Sequence, residues 1–238
     1  MQQLLSAEQI EAFYHDLFVE DQAQHFSEVS ANLLTAEDRI VDVGGGCGFF
    51  ARRLVQLVGQ RVRVIDMDAT SVAACHAAGI DADLGDALHP IIRDEDSVAC
   101  FNLILHHLVS RSEAGTRALQ VGALRAWHHR AKAVFVNEYI YESYFRDISG
   151  RLIFGITKSR LLSAIARAVA RLVPTLMANT FGVGVRFRSH DEWIGLFRDA
   201  GFELVRWRQG SAEHIAAPRR LLLIKSIRRD SFLLRPIC

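Results

Sequence analysis

The sequence predicts an α/β protein: a doubly wound, mainly parallel seven-stranded sheet carrying a helical lid. Three observations lead there. Short β-branched runs alternate with helical stretches, which builds a parallel sheet covered on both faces. The first run, Arg39 to Val43, passes straight into a glycine cluster at Gly44 to Gly48. The chain has 238 residues, half of them apolar and 23% charged, enough for one globular domain with a full core.

The elements follow in order. Residues 6–30 read as a helix, with Ser6 as cap and Ile10, Phe13, Tyr14, Leu17 and Phe18 at helical spacing. Arg39 to Val43 is a buried strand. Phe49 to Val58 is a helix that ends near Gly59. A second strand covers Arg61 to Asp66, and Ser71 to Ala78 is helical. Further strands are expected at 81–83, 98–105, 132–137, 202–207 and 220–226, with helices between most of them. Ser189, His190, Asp191 and Glu192 open one late helix.

Residues 141–188 are too long an interval to be a bare connection, and are expected to form a lid together with residues 1–30 of the single domain 1–238. The centre of the interval, 157–173, reads as one helix that Pro174 ends or kinks. Arg160, Arg167 and Arg171 make a narrow stripe on it. Leu162, Ile165, Val169, Leu172 and Val173 lie opposite, the side expected to pack on the domain.

Charge is uneven although the net value is only +1. Residues 1–50 hold one Arg and nine acids, whereas 141–188 and 206–238 each hold eight basic residues and two acids. Twenty-five of the 28 basic residues are Arg, which GC-rich codons would produce; the sharper reading is an anionic partner near the second half, such as a substrate carboxylate, a carrier-protein surface or lipid headgroups. The start of the chain lacks the basic run of a secretory signal, and no clean apolar window of about 20 residues occurs, so no transmembrane segment is expected. Cys47, Cys75, Cys100 and Cys238 show no paired spacing, which suits a reducing cytoplasmic setting. The ten His and four Cys show no ligand spacing, so no metal is assigned.

The sharpest chemical signal is Val41, Asp42, Val43, Gly44, Gly45, Gly46, Cys47, Gly48. A strand that runs through glycines into a helix lets backbone N–H groups approach a ligand closely. Asp42, two residues before the first glycine, can meet a cationic group. Asp66 ends the second strand, where a carboxylate can accept both hydroxyls of a ribose. Asp68 competes with it, but Asp66 directly follows the apolar run Val62 to Ile65. Gly85, Asp86 and Ala87 end the third strand, where an adenine would lie.

Glycine turn, ribose acid and adenine acid in this order resemble the class I S-adenosylmethionine-dependent methyltransferases, well over 36–138 and more loosely over 189–226. The resemblance implies a Rossmann-like methyltransferase fold and S-adenosyl-L-methionine as cofactor. It implies binding by Asp42, Gly44, Gly46, Gly48, Asp66, Met67, Asp86, Ala87 and Asn102, the last at the methionine end.

A narrower resemblance links Val41 to Gly46, Leu103 to His107 and Val136 to Glu138 with the O-methyltransferases of natural-product biosynthesis. It implies His106 as general base and Glu138 as the acid that orients it, with His107 second choice for the base. A hydroxyl must lose its proton as it attacks a sulfonium methyl, and imidazole titrates near neutrality. Two departures stand out. His107 and Leu108 replace the family's acid and aromatic, and only about 38 residues precede the first strand, too few for the family's dimerisation domain. The acceptor is expected to be a hydrophobic small molecule, touched by Tyr14, Phe18 and Arg160; a homodimer is left open.

Other classes fit less well. Gly46, Gly48 and Ala51 match a dinucleotide turn, yet no Tyr is followed four residues later by Lys, as a short-chain dehydrogenase needs. The four prolines form neither Pro-Pro nor Pro-Cys, which argues against methylation of nucleic-acid bases, and no Asp-Asn pair occurs, against the magnesium-dependent catechol type. C- or N-methylation remains the closest alternative to O-methylation.

Overall fold

The computed structural model describes residues 16–173, 176 and 180–237, with side chains from Val19 onward. Seven strands lie in the order β3-β2-β1-β4-β5-β7-β6. They are β1 (Arg39–Val43), β2 (Arg61–Asp66), β3 (Asp81–Leu84), β4 (Asp96–Asn102), β5 (Ala133–Ser143), β6 (Phe202–Arg208) and β7 (Ile224–Pro236). β1 to β5 pair in parallel, and β7 runs antiparallel between β5 and β6. The expected sheet is therefore present, with the chain reversing at β1 to leave a crevice above the strands' C-terminal ends.

Both faces are covered. On one side α1 (Asp16–Val29), α2 (Phe49–Val58) and α3 (Ala69–Ala77) bury Ala23, Phe26, Leu54 and Cys75 against Ile40, Val64, Cys100 and Phe135. On the other, α4 (Glu113–Arg125) and α7 (His190–Asp199) bury Leu124, Trp193 and Phe197, with Trp127 just beyond α4, against Val41, Phe101, Val136 and Phe232. Alternate strand residues feed the two layers, as a pleated strand covered on both sides requires.

Several boundaries differ from the sequence reading. β4 stops at Asn102, because Leu103 adopts φ +55° and turns the chain into a short 3-10 helix, Leu105–His107. β5 continues to Ser143 since β7 pairs with it along its whole upper length. The last strand starts only at Ile224; Ala217–Leu222 is a 3-10 helix. The expected helix 157–173 is two helices, α5 (Ile148–Lys158) and α6 (Arg160–Leu172), parted at Ser159, whose hydroxyl caps α6. Pro174 lies outside the described residues. Residues 16–29 of the 1–30 segment form α1, which packs Ala23, Phe26 and Val29 into the core; residues 1–15 lie outside the described residues.

The apolar side of α6 does not pack on the domain either. Leu161, Leu162, Ile165, Val169 and Leu172 are exposed, and the helix buries only Ser163 and Ala170. Small residues win that contact because Ser163 Oγ reaches the carbonyls of Ile156 (2.8 Å) and Thr157 (3.2 Å), which draws the two helices together. No helix of the described residues is long and apolar enough to cross a membrane.

Candidate active site

β1 delivers the glycine turn to the crevice. Gly44, Gly46 and Gly48 all have positive φ, between 53° and 76°, a region that L side chains avoid. Space is also closed to a side chain: a Cβ on Gly45 would lie 2.4 Å from Asp42 Oδ2. Gly48 then begins α2, so the backbone N–H groups of its first turn face the crevice with no side-chain cap over them.

The acids follow the strand ends. Asp42 is wholly buried, and both its carboxylate oxygens lack a hydrogen-bond partner. Burial, and then the nearby Asp66 charge, push its pKa from 3.8 to about 8. Asp66 closes β2 and accepts hydrogen bonds from the backbone N–H of Gly46 and of Asp68, each at 2.8 Å. Burial raises its pKa too. Two of a carboxylate's roughly four acceptor positions stay available for hydroxyls. Asp68, the competing acid, caps α3 by accepting from the N–H groups of Thr70 and Ser71 and from the Ser71 hydroxyl.

Met67 is exposed beside Asp66. Asp86 follows β3, where it accepts from the Leu88 N–H at 3.0 Å, and Ala87 next to it is buried. At the end of β4, Asn102 donates its amide N–H to Gln22 of α1 at 2.8 Å, while its Oδ1 is buried without a partner. β1 and β4 thus leave two unfilled acceptors, Asp42 and Asn102, near the glycine turn.

A second group stands one strand further on. The 3-10 turn brings His106 beside the middle of β5, just past the level where β4 ends, and there its Nδ1 pairs with Glu138 Oε2 at 2.7 Å. Glu138 is fully buried and also accepts from the backbone N–H groups of His106 (3.3 Å) and Tyr139 (3.2 Å). A carboxylate only accepts, so in the neutral imidazole the proton sits on Nδ1 and the lone pair on Nε2. His107 packs against the His106 ring at 4.1 Å. Burial and the neighbouring His106 hold its pKa well below the ordinary imidazole value. Of the two rings, only His106 has a carboxylate to orient it.

The insert returns beside this pair. Phe187 lies 5.1 Å from the His106 ring and stacks on Tyr141 at 4.3 Å, while Tyr139 meets His106 edge-on at 5.8 Å. Arg186 donates its backbone N–H to the His106 carbonyl at 2.9 Å. The guanidinium groups of Arg186 and Arg188 are fully buried and neutralised by Glu113 and Glu192, with Gln120 accepting from Arg188. Two of the insert's eight basic residues are therefore internal struts. Arg160 begins α6 on the outside, and Arg167 is tied to the Phe181 carbonyl at 2.8 Å. Tyr14 and the side chain of Phe18 lie outside the described residues.

Gln22, Tyr139, Tyr141, Arg186 and Phe187 are the site's neighbours that the sequence reading missed. Gln22 carried a faint signal, a polar residue on an otherwise apolar helix face. The others depend on where the insert returns, which no spacing encodes. Among the described residues no cluster of three or more His, Cys, Asp or Glu could hold a metal ion.

No protein-family model matches the chain, and no curated protein does. Solved structures do share its fold. The MccD protein matches over 91% of this chain and 97% of its own, with a TM-score of 0.61 and 12% identity. The [4+2]-cyclase SpnF matches over 94% and 82%, at 0.59 and 17%. The mitomycin 7-O-methyltransferase MmcR matches over 93% of this chain but only 57% of its own length, at 0.51 and 16%. At these identities the likeness extends to the fold: the chain has the doubly wound, seven-stranded architecture of a methyltransferase and of a cyclase.

Proposed function

We propose that the protein is an S-adenosylmethionine-dependent methyltransferase that methylates an oxygen of a hydrophobic small molecule, with His106 as general base. The observation that carries the reading is the His106–Glu138 pair at 2.7 Å, held just past the C-terminal end of β4. The likeness to MmcR and SpnF does not choose between methyl transfer and ring closure. A carboxylate-oriented imidazole with a free Nε2 supports proton removal from a hydroxyl.

The residues present fit the cofactor. Asp42 and Asn102 offer buried acceptors without partners, which suits an ammonium group at the methionine end. Gly44, Gly46 and Gly48 let backbone close on it, Asp66 accepts the ribose hydroxyls, and Met67, Asp86 and Ala87 border the adenine. When bound, the cofactor supplies an electrophilic methyl on sulfur. The chain's own work is then to hold the acceptor in line, exclude water with Phe187 and Tyr139, and take the hydroxyl proton on His106 Nε2. Glu138 stabilises the imidazolium that forms. Tyr14, Phe18 and Arg160 are further proposed acceptor contacts.

The test has two stages. Thermal shift with S-adenosylmethionine, S-adenosylhomocysteine and NAD in parallel should show stabilisation by the first two; selective stabilisation by NAD would overturn the reading. Mass spectrometry of candidate acceptors should then show the gain of one methyl group. A product isomeric with its substrate would point to the cyclase chemistry instead, and a methyl on carbon or nitrogen would move the acceptor atom while keeping the class.

A further inference from the structure

Exposed apolar side chains gather on one part of this molecule. Of the eighteen large hydrophobic side chains exposed among the described residues, ten lie within 144–172 and 221–223. Scattered surface leucines are ordinary; such a gathering marks a contact surface. Two adjoining turns form its tip. β5 runs on past the level where β4 ends, from Glu138 to Ser143, about 20 Å of extended chain. It then enters the turn Tyr144, Phe145, Arg146, Asp147, while β7 starts from the turn Leu221, Leu222, Leu223. The Tyr144 N–H donates to the Leu223 carbonyl at 3.1 Å and ties the two turns together. Phe145 is 61% exposed, Tyr144 63% and Leu221 82%. Arg146, Asp147 and Leu223 all have positive φ, a conformation that non-glycine residues hold only where the surrounding structure imposes it.

We propose that this tip docks on the surface of an anionic lipid bilayer. Charge complementarity supports the occupant. Arg146 and Arg151 on one side, and Arg220 and Lys225 on the other, are exposed around the apolar turns. The acids beside them are Asp147 and Glu142, and Arg228 holds Glu142 at 3.2 Å. Shape supports it too. The apolar residues stand on turn tips and not in a groove. A protein partner would need a matching pocket for each, whereas acyl chains close around whatever enters them. Aromatic and leucine side chains shed water at the interface, and Arg and Lys at the rim meet lipid phosphates. The contact is with the surface alone, since no described helix is long and apolar enough to cross.

The position of the tip gives the contact a use. Beneath it Ile153, Phe187, Ile224 and Ile227 form an apolar cluster, with Tyr139 and Tyr141 packed against it. Phe187 and Tyr139 in turn lie 5.1 and 5.8 Å from the His106 ring. An apolar wall thus joins the docked turns to the proposed base. The acceptor class that follows is a hydrophobic compound dissolved in the bilayer, which reaches His106 along this wall. That assignment of the acceptor rests on the proposed methyl transfer; the docking itself does not.

Flotation of the full-length protein with vesicles tests the docking and needs no activity. Vesicles of phosphatidylcholine and phosphatidylglycerol in equal parts should carry the protein upward. Their affinity should exceed that of pure phosphatidylcholine vesicles by about tenfold or more, and the preference should shrink in high salt. No flotation with the anionic vesicles would overturn the proposal. The double variant Phe145→Ser, Leu221→Ser should lose most of the binding. The triple variant Arg151→Gln, Arg220→Gln, Lys225→Gln should lose most of the preference for anionic lipid. Both should melt near the wild-type temperature, because all five side chains are exposed. Wild-type flotation by the double variant would overturn the proposal. So would a concentration-dependent dimer that the double variant abolishes, which would give the tip to a second copy. Absence of docking beside intact binding of S-adenosylmethionine would strike this surface and leave the reading of the crevice standing.

Discussion

At the scale of single residues the site separates two neighbouring histidines that look alike in sequence. His106 is oriented by Glu138, whereas His107 has burial and a second imidazole against its protonation. On the proposed reading, His106→Ala should lower turnover by roughly 100- to 10,000-fold with cofactor affinity nearly intact, and His107→Ala should do much less. Steady-state kinetics beside calorimetry will decide; equal, mild losses would reduce the pair to pocket lining. The same comparison separates Asp66 from Asp68. Asp68 spends its oxygens on capping α3, so Asp66→Ala should weaken cofactor binding by about ten- to a hundredfold, the worth of charged hydrogen bonds to two hydroxyls. Unchanged affinity in a folded Asp66→Ala protein would remove the ribose from this position.

At the scale of elements, the insert is positioned by close backbone approach. Gly150 of α5 sits against the returning chain: a Cβ there would lie 2.2 Å from the Phe187 carbonyl oxygen and 2.5 Å from Arg186 Nη1. Gly150→Ala should therefore push α5 away, cost about 1–3 kcal/mol, and move Phe187 off His106. A lower melting temperature together with slower turnover is the expected pair of results. Gly155, on the same helix, has nothing within 4 Å of an added Cβ. There Gly155→Ala should stabilise by about 0.5–1 kcal/mol, because alanine has less freedom to lose in a helix. Opposite signs at two glycines five residues apart would show that backbone approach, and not helix propensity, governs the first.

At the scale of the whole molecule, the buried Asp42 ties stability to pH. Its folded pKa, about 8, lies above its ordinary 3.8. Folding thus favours the protonated acid; that stability is present below about pH 4 and is lost as pH rises toward 8. Asp42→Asn keeps the shape and removes the titration, so the mutant should gain on the wild type across this window. A tenfold change in proton affinity is worth about 1.4 kcal/mol, and the gap should widen by a few kcal/mol in urea melts. Parallel curves from pH 4 to 8 would mean that Asp42 finds a partner in solution. A cation held beside Asp42 reverses the effect. Cofactor binding near neutral pH should then release a proton, visible as a dependence of the calorimetric heat on the buffer's ionisation enthalpy.

The sequence by itself determined the sheet and the glycine turn with its acids at the strand ends. Both are local: a strand's periodicity and a glycine turn with an acid at a fixed offset are written in consecutive residues, and Asp42, Asp66 and Asn102 stand at the strand ends where the spacing puts them. It also picked out His106 and Glu138, 32 residues apart, but only through the resemblance to the O-methyltransferases. What only the tertiary structure decided involves pairings between distant segments. β7 begins later and runs longer because β5 offers it a partner along its whole upper length. The first helix became a layer of the core because Phe26 finds Phe135 and Phe50 there. Two arginines of the basic insert turned inward because Glu113 and Glu192, from α4 and α7, neutralise them. The greasy side of α6 faces outward because two small residues, Ser163 and Ala170, make the closer contact with the rest of the chain. Amphipathic periodicity says that a helix has two sides; which side meets the protein depends on what the rest of the chain brings to it.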